Sequence, residues 1–116
     1  MTSRVQDLAW AAGFFDGEGC FSVGTGNLKR SGTRSHFVCL TINQVDREVL
    51  DKFHSIMGVG SVRGPIARND SPIGTKPLYI YKTTGKNASL VAKLMWSQLG
   101  NKKRQQYKRC LALCSK

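Results

Sequence analysis

Residues 11–21 read AAGFFDGEGCF, and this stretch decides the fold because two patterns of hydrophobic spacing meet in it. Apolar residues from Val5 to Phe15 recur at helical spacing. From Cys20 to Gly24 apolar and polar residues alternate, which is typical of a strand. The stretch therefore predicts a helix that ends between Asp16 and Gly19 and passes directly into a strand, with Glu18 at the junction.

The same two patterns alternate along the rest of the chain. They predict, in order, a strand at His36–Gln44, a helix at Asp46–Met57 ended by Gly58, strands at Gly60–Arg63 and Leu78–Lys82 with a long mobile loop between them, and helices at Asn87–Leu99 and Lys103–Cys114. The first two strands form a hairpin with a basic tip. The expected order is α-ββ-α-ββ-α-α, in one α+β domain over residues 1–116, because a chain of this length is too short for two cores.

The charge of the chain indicates a polyanionic partner. Eighteen Lys and Arg against seven Asp and Glu give a formal net charge of +11. Nucleic acid is therefore the leading partner, and a small-molecule substrate is not expected. On composition alone, the alternative is a basic ribonucleoprotein component or a charge that only confers solubility.

Hydropathy and cysteine spacing exclude other classes of protein. No apolar run is long enough to span a bilayer, and the first ten residues lack the order of a secretion signal. We expect a soluble, intracellular protein without a membrane partner, and the sequence does not distinguish an organellar, bacterial, archaeal or phage context. The four cysteines lack paired C-x-x-C spacing, so reduced structural thiols are expected rather than a zinc site.

Residues 11–21 resemble the motif of the LAGLIDADG homing endonucleases. Glu18 occupies the place of the last acidic residue of that motif, and Gly17 and Gly19 bracket it. The resemblance continues in family order over nearly the whole chain, at Leu40–Gln44, Leu50–Phe53, Gly58–Arg63 and Lys102–Gln105. It implies the αββαββα fold, in which a curved antiparallel sheet forms a saddle with the helices on one face.

The single motif implies a homodimer, because the family builds its cleavage centre from two motif helices packed side by side. Each subunit would contribute Glu18, with Gly17, to metal binding. Two adjacent carboxylates repel one another unless a divalent cation lies between them, and Mg²⁺ prefers oxygen ligands. Mn²⁺ is expected to substitute. The interface residues that the resemblance implies are Trp10, Ala12, Gly13 and Asp16.

The implied reaction is hydrolysis of both strands of double-stranded DNA at a long, near-palindromic site, which leaves short 3′ overhangs. A metal ion can activate the attacking water and stabilise the leaving oxygen. The resemblance assigns Gln44 to water near the metal and Lys102 to the scissile phosphate. Asn43 and Lys103 stay open as alternatives, and Arg47 lies where a basic residue could assist.

DNA recognition is expected on one polar face of the sheet, because a two-stranded ribbon fits the major groove. Alternation along the first strand places Ser22 and Gly24 on that face and Phe21 in the core. The residues expected to contact DNA are Ser22, Gly24, Lys29, Arg30, Arg34, Arg47, Arg63, Arg68, Lys76, Tyr79, Tyr81, Lys82 and Thr83.

The residues of the last strand alternate between the two faces of the sheet. We expect Tyr79, Tyr81 and Thr83 to share the DNA face, whereas Leu78 and Ile80 would face the helices. The alternative for the tyrosines is packing in the core.

Two other functions fit parts of the sequence. A DNA- or RNA-binding protein on the same scaffold, such as an intron maturase, would keep the fold without cleavage. A basic structural ribonucleoprotein component would require the motif to be accidental. Retention of Glu18, Gln44 and Lys102 favours the endonuclease.

Overall fold

The computed structural model describes residues 3–66 and 76–114. Its elements are α1 (Arg4–Glu18), β1 (Gly19–Leu28), β2 (Arg34–Gln44), α2 (Arg47–Met57), β3 (Ser61–Ile66), β4 (Leu78–Thr84), α3 (Gly85–Met95), a short 3-10 helix (Trp96–Gln98) and α4 (Asn101–Cys114). This order confirms the predicted αββαββα fold, and the further helix expected after it is α4. The predicted loop of the second hairpin lies mostly at residues 67–75, outside the described residues.

Helix boundaries follow local capping chemistry. Ser3 caps α1 through its hydroxyl, which accepts from the Gln6 N–H at 3.1 Å, and the Gln6 side chain returns the contact to the Ser3 N–H. Asp46 caps α2, and Gly58 ends it in the left-handed region at φ 77°. These local signals explain why the first two helices could be placed from the sequence.

The sheet is antiparallel throughout and has the order β1-β2-β4-β3. The two hairpins join through β2 and β4, where Ile42 pairs with Tyr81 and Leu40 pairs with Thr83. Strand β1 is an outer strand, and its first residue, Gly19, pairs with Ile42 near the end of β2. The end of α1 therefore lies beside the end of β2.

The helices pack on one face of the sheet, which we call the core face. Phe21 of β1 packs against two helices there. The centroid of its ring lies 4.9 Å from that of Phe15 in α1 and 5.0 Å from that of Tyr107 in α4. The largest fully buried side chains are Phe15, Leu40, Ile42, Leu50, Phe53, Tyr81, Val91 and Met95. Within residues 3–66 and 76–114, none of the helices is both long and apolar enough to cross a bilayer.

The opposite face, which we call the open face, carries the alternate residues of the same strands. It presents Cys20, Ser22, Thr41, Asn43, Lys82 and Arg63, and apart from the half-buried Thr41 all of these are exposed. The register places Thr41 between Cys20 and Lys82 across three neighbouring strands. This face is the surface available to a large partner.

The predicted orientation of β4 is wrong. Tyr81 is fully buried on the core face and donates a hydrogen bond to the Val59 carbonyl at 2.7 Å, and Thr83 is also buried. Tyr79 is half-buried and packs against the same core. Ile80 instead pairs with Arg63 on the open face. Tyr and Thr combine polar and apolar groups, so strand alternation separates the two faces without showing which one is buried.

Candidate active site and nucleic-acid interface

Glu18 is the last residue of α1 and is exposed. The helix passes into β1 without a loop, because the Gly19 N–H donates to the Phe15 carbonyl while Gly19 already begins the strand. A Cβ at Gly19 would overlap the Phe15 ring, so only glycine fits at this junction. The junction places the Glu18 carboxylate in solvent at the end of the sheet.

Asp16 ties the end of α1 to the beginning of α4. Its two carboxylate oxygens accept from the Gly100 N–H at 3.1 and 3.0 Å. Lys102 follows Gly100 by two residues, as Glu18 follows Asp16, and Lys102 is exposed. A cleft of about 320 Å³ lies at this junction, lined by Asp16, Gly100, Asn101, Lys102 and Lys103. The Asp16 contact therefore brings the segments of Glu18 and Lys102 to one corner of the molecule.

The end of β2 reaches the same corner. Continuing the register beyond Gly19 and Ile42 would place Glu18 opposite Asn43. Asn43 is exposed on the open face, whereas Gln44 is half-buried and pairs with Tyr79. Asn43 and Gln44 are the last two residues of β2, next to the pairing of Gly19 with Ile42, and the choice between them stays open.

The two candidate lysines differ in their surroundings. Lys103 is half-buried, and its Nζ lies 5.8 Å from the centre of the Phe15 ring, a cation–π contact with the core. Lys102 is exposed in the cleft. This difference supports Lys102 over Lys103 as the residue that would meet a phosphate.

The end of α1 offers oxygen atoms that could hold a metal ion. Glu18 offers a carboxylate and Gly17 a backbone carbonyl, and both residues are exposed. Hard, solvent-facing oxygen donors suit Mg²⁺, which usually retains several waters. Within the described part of one chain, however, no three His, Cys, Asp or Glu side chains come together in a metal-binding group.

Most of the residues expected at a DNA surface are exposed where the described structure includes them. Lys29 and Arg30 lie in the turn between β1 and β2, and Arg34 begins β2. Lys76 lies two residues before β4. Ser22, Arg63 and Lys82 lie on the open face, and Arg68 falls outside the described residues.

Gly24 and Arg47 have contacts within the chain that the sequence did not reveal. A Cβ at Gly24 would lie 2.5 Å from Phe37 Cε2, so the Phe37 ring covers Gly24 and presents its own surface on the open face. Sequence reasoning missed Phe37, although its alternation with Val38 could have placed it there. Arg47 forms an ion pair with Asp51 at 3.4 Å on the surface of α2, and its guanidinium lies 5.8 Å from the Tyr79 ring.

The expected interface residues of α1 fall on different sides of the helix. Ala12 is fully buried in its own core, so the prediction that it contacts a second copy is wrong. Gly13 is exposed, together with Ala9 and Gly17, which lie four residues before and after it on the same side of α1. The family resemblance assigns Gly17 to the metal and assigns neither Ala9 nor Gly17 to the interface. Trp10 is half-buried, and its ring stacks on Phe14 with the centroids 5.2 Å apart.

Comparison with known proteins agrees with this architecture. The I-CvuI homing endonuclease, solved in complex with its target, has a TM-score of 0.70 at 23% identity over 90% of this chain and 63% of the I-CvuI chain. The homing endonuclease I-TnaI has a TM-score of 0.70 at 26% identity over 92% of this chain and 70% of its own. The archaeal intron-encoded homing endonuclease I-Vdi141I, complexed with DNA, has a TM-score of 0.66 at 22% identity, with 90% and 65% covered.

The chain thus spans less than two thirds of the I-CvuI and I-Vdi141I chains that it matches. A comparison with curated proteins found no significant match. A sequence profile of the LAGLIDADG endonucleases matches residues 11–112, which include both the α1 motif and the α4 lysines. This chain therefore belongs to the LAGLIDADG endonuclease family.

Proposed function

We propose that this chain is one subunit of a homodimeric, metal-dependent endonuclease that cleaves double-stranded DNA at a near-palindromic site. The observation that carries the proposal is the convergence of α1, β2 and α4 at one corner. The Asp16–Gly100 contact and the β1–β2 register bring the segments of Glu18, Gln44 and Lys102 together there. The open face of the sheet also ends at this corner. The chain has a formal net charge of +11, which favours a polyanionic partner.

The glycines of α1 support a second copy at the exposed side of this helix. Glycine inside a helix costs about 1 kcal/mol relative to alanine. A Cβ at Gly13 or Gly17 would meet no atom within 4 Å, so the surrounding described residues of the same chain leave room for a side chain. Small residues permit close packing of two helices, and the exposed Ala9 extends the same side. A second α1 packed here would bring two Glu18 residues toward one another.

The proposed chemistry divides between the metal and the protein. Glu18 from each subunit and the nearby Gly17 carbonyl would hold Mg²⁺, or Mn²⁺ in its place, which when bound lowers the pKa of a water and offsets charge on the phosphate. Lys102 places a cation beside the scissile phosphate. Gln44, or Asn43 as the alternative, accepts and donates hydrogen bonds that orient a water molecule.

Recognition of DNA would use the open face and the hairpin ends. Ser22 would face base edges in the major groove, where Arg63 and Arg68 would read guanines, whereas Lys29, Arg30, Arg34, Lys76 and Lys82 would hold phosphates. The solved complexes of I-CvuI and I-Vdi141I with DNA support this use of the fold. Because a two-fold dimer presents each surface twice, its target would be near-palindromic, with cuts that leave short 3′ overhangs.

The test is cleavage of a randomised double-stranded DNA library with Mg²⁺ by the wild-type chain and by Glu18→Gln, with sequencing of the cut ends. We expect paired cuts at one near-palindrome for the wild type and none for Glu18→Gln, which should still bind the same site. Sequence-selective binding by a wild type that does not cut would instead indicate the maturase-like function. Absence of DNA binding by both proteins would overturn the proposal.

Matched variants resolve the alternatives at the site. Asn43→Ala and Gln44→Ala change neighbouring residues, and so do Lys102→Met and Lys103→Met. We expect the larger loss of cleavage at Gln44 and Lys102. Gly13→Leu should shift the sedimentation coefficient from dimer to monomer, while Ser55→Leu on the exposed surface of α2 should not. An unchanged sedimentation coefficient for Gly13→Leu would exclude this side of α1 as the interface.

A further inference from the structure

A polar groove of about 510 Å³ runs along one side of α4. We call it the α4 groove, and its lining consists of Asn101, Lys102, Lys103, Gln105, Gln106 and Arg109. Helix α4 contains five basic residues and no acidic residue. Because its lining has only amide and cationic side chains, the groove attracts an anion with several oxygen acceptors.

The orientation of the groove is set by a contact with the edge of the sheet. The Gln106 side-chain oxygen accepts from the Phe21 N–H at 2.9 Å, and β1 is an outer strand. On the next position of α4, the Tyr107 hydroxyl bonds to Ser89 Oγ at 3.0 Å and holds the helix to α3. The groove therefore borders the outer edge of β1, the strand that presents Ser22 on the open face.

The basic side chains of α4 differ in their contacts with the rest of the chain. Arg104 donates to the Trp96 carbonyl at 3.0 Å and lies over the Trp96 ring. Lys103 lies over Phe15, and Lys102 belongs to the proposed cleavage site. Arg109 is exposed in the groove and has no part in the core or in the proposed reaction.

The spacing of Lys102 and Arg109 fits a nucleic-acid backbone. Seven residues of α-helix span about 10 Å. Along one strand of B-DNA, phosphates recur about every 3.4 Å of the helix axis. Lys102 and Arg109 are therefore far enough apart along α4 to contact two different phosphates of one duplex.

We infer that the α4 groove is a second DNA-binding surface, in which Arg109 binds a backbone phosphate beyond the scissile phosphate. The inference rests on the proposed function, because it takes the DNA on the open face as its starting point. Arg109 would bind DNA and take no part in the cleavage step. The guanidinium would hold the strand in register beside Lys102 without reading a base.

The test compares Arg109→Gln with Lys108→Gln, which removes the same charge from the neighbouring exposed residue outside the groove. The probe is one fluorescein-labelled duplex of mixed sequence without divalent metal, titrated at several KCl concentrations. Each phosphate contact contributes about −0.9 to the slope of log K against log salt. We expect Arg109→Gln to reduce the magnitude of the slope by about 0.9, with Lys108→Gln close to wild type and Arg109→Lys restoring the slope.

Equal slopes for Arg109→Gln and Lys108→Gln would overturn the inference and leave the proposed function intact. No salt-dependent binding by the wild-type protein would instead overturn the proposed function. Thermal unfolding of each variant checks that the fold is retained, which we expect because both side chains are exposed.

Discussion

The two faces of the sheet come from the same strands and have opposite chemistry. On the core face, Leu40, Ile42 and Tyr81 are fully buried, whereas the neighbouring Thr41 and Lys82 lie on the open face. One residue along a strand thus separates a side chain that stabilises the fold from one that is available to a ligand. Substitutions at adjacent positions should therefore have separable effects on stability and on DNA binding, and four comparisons test this.

The largest expected effect contrasts Leu40→Ala with Thr41→Ala. Leu40 is fully buried, so its truncation leaves a cavity and should lower the free energy of unfolding by about 2–5 kcal/mol. Thr41→Ala on the open face should change it by no more than about 0.5 kcal/mol. Urea denaturation followed by circular dichroism measures both. Equal losses would show that the open face is packed like the core face.

The next effect concerns Gly24, where the open face has packing of its own. A Cβ there would press on the Phe37 ring and on Cys39 Sγ, so Gly24→Ala should cost about 1–3 kcal/mol of stability. A double-mutant cycle provides the control, because Phe37→Ala removes the ring that obstructs the added methyl group. An equal cost of Gly24→Ala with and without Phe37 would contradict the contact.

A smaller effect is expected for Tyr81→Phe, which removes the hydrogen bond to Val59 at a cost of about 0.5–1.5 kcal/mol. Burial raises the pKa of Tyr81 from 10.0 to about 12, so the folded state binds the phenol proton more tightly than the unfolded state. The stability that the folded state gains from this tighter proton binding is present below pH 10 and is lost as the pH rises toward 12. Between these values, urea denaturation should show a steeper loss of stability for the wild type than for Tyr81→Phe. Parallel pH profiles would contradict this assignment.

The smallest effect on stability is expected at Lys82, which is exposed on the open face. Lys82→Ala should change the free energy of unfolding by no more than about 0.5 kcal/mol and should weaken DNA binding measured by fluorescence anisotropy. Lys86→Ala, an exposed residue of α3, is the matched control and should bind DNA nearly as the wild type does. Similar binding losses for the two variants would show that net charge, rather than the open face, determines the affinity.

Much of this fold could be predicted because its elements have local causes. The Asp46 cap and Gly58 bound α2, and the change from helical spacing to alternation placed Glu18 at the end of α1. The side of α1 that faces the core was harder to assign. Small residues occupy adjacent positions there, and Ala12 proved buried while Gly13 is exposed. Neither has a large side chain whose hydrophobicity would indicate the buried side.

The candidate site was predicted only in part, for a similar reason. The family motif identified Glu18, whereas the contact of Phe37 with Gly24 depends on two strands meeting in one register. The prediction for Tyr81 was wrong because an amphipathic side chain suits either face of a strand until its neighbours are known. The exposure of Arg109 in a groove likewise depends on how α4 lies against β1.

The sequence by itself determined the order of helices and strands, the positive charge and the position of Glu18 at a helix end. These properties depend on residues a few positions apart, whose spacing and capping act locally. Only the tertiary structure decided that Asp16 meets Gly100 and that the end of β2 lies beside them. Such meetings join residues far apart in the chain, and they form because packing and strand register together bury the core side chains and satisfy the backbone hydrogen bonds.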